Sequence, residues 1–66
     1  MLVMTVVRKD KGITQTGLSN LTGIAEPQIS ALENQHILPS VGWQRRIADA
    51  LGWDREPAAL FDEVSV

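Results

Sequence analysis

The chain has 66 residues, 44% of them hydrophobic, with no cysteine, one histidine, and six basic against eight acidic side chains for a net charge of −2. That length allows a single domain over residues 1–66 with a compact core, but a lone domain this short is marginal, so a homodimer is expected. The absence of cysteine excludes a disulfide framework and any thiolate metal site, and the acidic balance means that any phosphate-binding footprint must be local or weak.

In chain order, residues 2 to about 10 carry apolar side chains at Leu2, Val3, Met4, Val6 and Val7. Their β-branching favours a strand by propensity, while the Val3/Met4/Val7 spacing fits a helix. The stretch is too short to span a bilayer, and its positive charges follow the apolar run instead of preceding it, the wrong order for a secretory signal. Neither membrane association nor export is expected. The basic run Arg8, Lys9, Lys11 lies where a helix would end. Such charge compensates the macrodipole and aids solubility, or it contacts phosphate.

The stretch from Thr14 to Asn34 reads as two short helices joined by a sharp turn. Thr14 is a good N-cap, followed by a polar–apolar helical pattern at Gln15, Leu18, Ser19 and Leu21. Gly23 stands where a helix would end in the left-handed conformation. A second helix begins near Ala25, with Pro27 tolerated in its first turn, and Ile29 and Leu32 form its apolar pair. Counted from Gln15, apolar residues fall at places 4, 10, 15 and 18, with a small residue at 5 and glycine at 9. That spacing suits two helices crossing steeply over Leu18, Ile24, Ile29 and Leu32, with Ser19 allowing close approach.

These residues, GITQTGLSNLTGIAEPQISALEN from Gly12 to Asn34, followed by Pro39-Ser40 and IADALG at Ile47 to Gly52, resemble the phage repressor and Cro family, the lambda repressor-like or XRE-type helix-turn-helix. The resemblance implies an all-α fold, a compact bundle of about five short helices around a central helix-turn-helix unit at about 14–34. It also implies a first helix in residues 2–10. Within it, Arg8 would pair with Glu33 as a structural ion pair, bidentate if well placed.

In that geometry the second helix of the unit lies in the major groove of DNA, and its first residues meet base edges. Here those are Glu26, Pro27 and Gln28, then Ser30 and Ala31. Gln28 suits adenine N6 and N7, Glu26 suits cytosine N4, Ser30 suits either base type, and Ala31 suits a thymine methyl. Glu26 is explained equally well as a favourable charge at its own helix N-terminus. The residue matching Gln15 in relatives contacts the phosphate backbone, helped by backbone N–H groups at that helix start. Thr14 and Thr16 would add hydroxyls. Asn34 either reaches a phosphate or caps its helix.

The loop after Asn34 departs from the family, which commonly has glycine at the place of Gln35 and basic residues at those of His36 and Ile37. A left-handed cap then falls on a residue with a Cβ, and phosphate contacts are lost. His36 is read first as an exposed loop residue and second as a phosphate contact; a lone histidine makes no metal site. Helices are expected across about 40–62. The first is capped by Ser40, carries Trp43, Ile47, Ala50 and Leu51 as its apolar stripe, and stops at Gly52. The second runs from about Arg55 to Asp62, with Asp54 as its cap, Pro57 in its first turn, and Leu60 and Phe61 closing the core. Trp53, Val64 and Val66 are left over, which suggests a dimer contact, with simple fraying of the tail or crystal-only packing as the alternatives for Val64 and Val66.

Catalysis has little to stand on: no cysteine or tyrosine, dispersed acidic residues and no Gly-rich phosphate loop. No enzyme activity and no cofactor are expected. The resemblance implies a prokaryotic or phage transcriptional regulator in the cytoplasm, associated with the nucleoid, binding double-stranded DNA as a homodimer. The alternative is a protein-interaction module, such as an antitoxin-like partner, that keeps the fold with weak DNA binding.

Overall fold

The computed structural model describes residues 1–64, so Val66 lies outside the described residues. Four α-helices follow one another: α1 (Val3–Asp10), α2 (Gln15–Thr22), α3 (Glu26–Glu33) and α4 (Val41–Leu51), and a 3₁₀ helix spans Pro57–Phe61. The bundle of about five helices is therefore four α-helices and one 3₁₀ turn.

The β-branched opening is helical because tertiary burial overrides propensity. Met4 is fully buried, Thr5 and Arg8 are nearly so, and Val3 and Val7 pack against the core. Leu2 stands at the N-cap without any side-chain bond. The end of the chain supplies the missing acceptor instead. Val3 N–H donates to the Asp62 carbonyl at 3.0 Å, Val64 N–H donates to that of Met1 at 2.9 Å, and Leu2 and Glu63 form an isolated antiparallel bridge.

Thr14 caps α2 through its hydroxyl oxygen, which accepts from Gly17 N–H at 2.9 Å. Leu18 of this helix is fully buried, whereas Leu21 is 61% exposed. The expected pattern put Leu21 on the apolar face; at 100° per residue, Thr22 lies closer to the line of Leu18 and turns inward in its place. Gly23 closes α2 at φ 74°, donating its N–H to the Ser19 carbonyl. Ser19 then donates its hydroxyl to the Ile24 carbonyl at 2.5 Å, fastening the turn to α2. Beneath the crossing, Leu18, Ile24, Ile29 and Leu32 are all buried and join Met4, Ile47, Leu51 and Leu60.

α3 ends in a Schellman motif: Gln35 N–H donates to the Leu32 carbonyl and His36 N–H to that of Ala31. The motif needs a left-handed residue, and Gln35 takes it at φ 61°. Ser40 caps α4 by accepting from Trp43 N–H. Ile47, Ala48 and Leu51 are buried, and Trp43 and Ala50 pack beside them. The last helix corrects its expected bounds. It begins at Pro57, not Arg55, with Glu56 and not Asp54 at the cap position. A residue before proline is pushed out of the α region, and Glu56 accordingly lies at ψ 121°. Leu60 is fully buried and Phe61 partly so. Trp53 is not left over either: it packs on the core, donates its indole N–H to the Glu56 carbonyl at 3.0 Å, and carries the Arg55 guanidinium 5.7 Å from its ring centroid.

Arg8 and Glu33 tie the helices together. Arg8 Nε donates to Glu33 Oε2 at 2.7 Å and Nη2 to Oε1 at 3.0 Å, while Nη1 reaches the Ile13 carbonyl at 2.8 Å. Their side chains are only 8% and 5% exposed. Removing one member of such a pair strands the other charge, at about 3–5 kcal/mol.

Arg8→Ala should therefore lower the thermal midpoint sharply, by a large share of the stability of so small a domain, without altering the exposed face of α3. An unchanged melting curve by circular dichroism would show that the pair contributes nothing. Gln35→Gly should raise stability by about 1 kcal/mol, since glycine adopts the left-handed region without the Cβ penalty. Loss of stability in chemical denaturation would show instead that the Gln35 Nε2 bond to Glu63 Oε2, 2.6 Å, matters more than the backbone.

Candidate nucleic-acid interface

The α2–turn–α3 unit presents two adjacent helix starts. At the beginning of α3, Glu26, Pro27 and Gln28 are all exposed, and Ser30 and Ala31, one turn on, are half-buried. Pro27 costs the helix nothing there, because a first-turn N–H has no intrahelical partner. Ala25 caps α3 without a side-chain bond. Thr16, in the first turn of α2, donates its hydroxyl to Glu26 Oε2 at 2.7 Å. The first residue of α3 is thereby held from the neighbouring helix.

The residues named for phosphate contact differ in what they have free. The Thr14 oxygen is occupied as a cap acceptor, which leaves its hydrogen available. Thr16 has given its only hydroxyl hydrogen to Glu26. Gln15 donates one amide hydrogen to Glu33 Oε1 at 2.9 Å and keeps the second. Asn34 Nδ2 lies 3.4 Å from the Ser30 hydroxyl oxygen, a long bond between two exposed groups. His36 is exposed in the loop beyond.

Gln15 and Asn34 share the rim of an open depression of about 450 Å³ with Lys9 and Gln35, and the Arg8–Glu33 pair forms part of its wall. Lys9 thus stands as a free cation beside two candidate phosphate ligands. Among the described residues it is the one lysine or arginine lining this depression without an ion-pair partner, because Arg8 is consumed internally and the sequence has no lysine or arginine between Gly12 and Gln44. The remaining cations, Lys11, Arg45, Arg46 and Arg55, are exposed elsewhere on the chain. The arrangement offers neutral hydroxyl and amide donors, backbone N–H groups and one ammonium to a polyanion. It offers two carboxamide or carboxylate side chains, Gln28 and Glu26, to a polar surface lying against α3.

Two links in this site were not anticipated from sequence, Gln15 to Glu33 and Thr16 to Glu26. Both join residues brought together only by the crossing of α2 and α3, and neither has a local spacing that would announce it. Among the described residues no cluster of histidine or acidic side chains suits a metal ion. No helix is long and apolar enough to cross a membrane.

The helix-turn-helix family model matches residues 7–56, from the second half of α1 to the residue before the 3₁₀ helix. Comparison with curated proteins and with solved structures finds no match. The matched region takes in the whole of the α2–turn–α3 unit, the Arg8–Glu33 pair and α4, and on this basis the chain belongs to the lambda repressor-like, XRE-type helix-turn-helix family of DNA-binding transcription regulators.

Proposed function

We propose that the chain acts as one domain over residues 1–66, a Cro/C1-type regulator that binds double-stranded DNA sequence-specifically with α3 in the major groove. The observation that carries this reading is the exposed first turn of α3, Glu26-Pro27-Gln28, set beside the exposed start of α2 on a rigid crossing. Gln28 reads adenine through N6 and N7, and Glu26 accepts from cytosine. Ser30 and Ala31 add a hydroxyl and a methyl contact one turn on, and Pro27 packs against the groove. Thr14, the second amide hydrogen of Gln15, Asn34 and His36 hold the phosphate backbone, with Lys9 beside them. The protein works in the cytoplasm, at the nucleoid.

One eight-residue helix reads few bases, so two copies on half-sites about one helical turn apart are the natural assembly. Support comes from the apolar side chains that stay outside the core. Ile37, Leu38 and Val41 are exposed, Leu38 at 92%, and Ile37 and Leu38 line a small groove of about 140 Å³ with Leu2, Leu32, Pro39 and Phe61. The same surface favours the second reading, association with a different protein. Trp53, expected as a dimer contact, supports neither reading, since it is engaged within the fold.

Titration against mixed-sequence duplex at two salt concentrations, read by DNA anisotropy, separates the two. Affinity should fall as salt rises, with a shallow logarithmic slope of about −1 to −2, because few cations meet phosphate. Sedimentation over the same salt series reads self-association, which apolar contacts should preserve or strengthen at high salt. Absence of DNA binding even at low salt would transfer the assignment to a protein partner. Gln28→Ala should cost roughly 1–3 kcal/mol at one cognate base pair and relax selectivity there. An equal loss on every sequence would remove Gln28 from base reading.

A further inference from the structure

Glu26 is an unneutralised carboxylate on the face that this reading turns toward DNA. Among the described residues no lysine or arginine pairs with it; the ion pairs are Arg8–Glu33 and the one between the Met1 amino group and Glu63. Its charge favours the N-terminus of α3, but that benefit needs no partner on α2. The same charge repels phosphate, and a hydrogen bond accepted from a base would offset that repulsion. Thr16 holds one of its two oxygens, Oε2, at 2.7 Å, and none of the described residues donates to Oε1. A glutamate on a surface ordinarily spreads over several rotamers, and ordering it on binding costs free energy. Here the hydroxyl of the neighbouring helix has already removed part of that freedom.

From this geometry we infer that Thr16 is a specificity-determining positioning residue, which fixes Glu26 so that its free oxygen selects cytosine in each half-site. The inference rests on the DNA-reading function proposed above. A carboxylate only accepts hydrogen bonds. In the major groove guanine presents two acceptors, thymine an acceptor and a methyl, and adenine a donor beside its own N7 acceptor; cytosine alone presents a donor, N4–H, with no acceptor on the same base. An acceptor-only group with one oxygen tethered therefore finds at cytosine a donor it can approach from the side away from the paired guanine, where adenine would present N7. Thr16 leaves the set of phosphate ligands in this assignment, since its single hydroxyl hydrogen serves Glu26.

The test is selection from a randomised duplex pool by the full chain and by Thr16→Val, Thr16→Ser and Glu26→Gln. Anisotropy on the selected duplex, with each base substituted in turn, then gives the preference. Circular dichroism melting of each protein accompanies it. The parent chain should retain a cytosine at one fixed place per half-site. Thr16→Val, which keeps shape and loses the hydroxyl, should reduce that preference roughly three- to tenfold, the worth of one hydrogen bond. Its affinity for unrelated duplex and its melting should stay close to those of the parent. Thr16→Ser should restore the preference, and Glu26→Gln should move it toward adenine. Full cytosine preference in Thr16→Val, or a loss matched on unrelated duplex, overturns the positioning role. A parent chain that selects a site without the cytosine overturns this assignment alone. A chain that retains no DNA at low salt overturns the DNA-reading function and this inference with it.

Discussion

The three guanidinium hydrogen bonds of Arg8 end on Glu33 of α3, which takes two, and on the carbonyl of Ile13 in the loop before α2, and Glu33 Oε1 also accepts from Gln15 of α2. A charge pair taken out of water must have its lone pairs and protons satisfied, or the burial costs more than the attraction returns. That requirement has been met here by drawing three helices onto one carboxylate. The geometry of α1, α2 and α3 is then set jointly, and the two helix starts that face outward inherit their relative position from it. The apolar layer of Leu18, Ile24, Ile29 and Leu32 also holds the helices together. Such packing is nondirectional, however, whereas a bidentate pair with fixed donors permits little rotation of one helix against another.

The same pair explains the unusual electrostatics. Six basic residues would give a small DNA-binding domain a modest footprint, but one of them is spent inside the fold. The proposed contact surface is left with Lys9, hydroxyls, amides and helix-start N–H groups. Such a surface positions a duplex by geometry more than by charge, and it carries little of the sequence-independent affinity that counterion release supplies. Discrimination then falls on the few polar side chains of α3. The tether between Thr16 and Glu26 bears on this point, since a reader with few contacts gains most from having each one oriented in advance.

Apolar surface is distributed in a way that follows from the loop after α3. Gln35 takes the left-handed backbone position that closes the helix, and the chain then runs outward with Ile37 and Leu38 toward solvent. By contrast, the indole of Trp53 is absorbed by a bond to Glu56 and a stacked guanidinium, and Val64 is held to the start of the chain by backbone bonding. The proposed association surface therefore centres on the loop between α3 and α4, where Ile37 and Leu38 border the groove lined by Leu2 and Phe61.

What the sequence determined by itself was everything governed by local chemistry and helical period. Thr14 and Ser40 as caps, Gly23 and Gly52 as stops, and the buried set Leu18, Ile24, Ile29, Leu32, Ile47, Leu51 and Leu60 follow from rules that act within a few residues. The choice between strand and helix for residues 3–10 did not follow from those rules. β-branching favoured one and spacing the other, and only burial of Met4 and Arg8 against the remaining helices decides it. The start of the last helix, by contrast, is local, set by how proline constrains Glu56, and so is the inward turn of Thr22 in place of Leu21, set by the 100° step from Leu18. The bonds from Gln15 to Glu33 and from Thr16 to Glu26 join side chains 18 and 10 residues apart. No periodicity predicts a hydrogen bond across a helix crossing, because its length depends on the angle and separation of two axes. Those are fixed by the whole core at once, and so they belong to the tertiary structure alone.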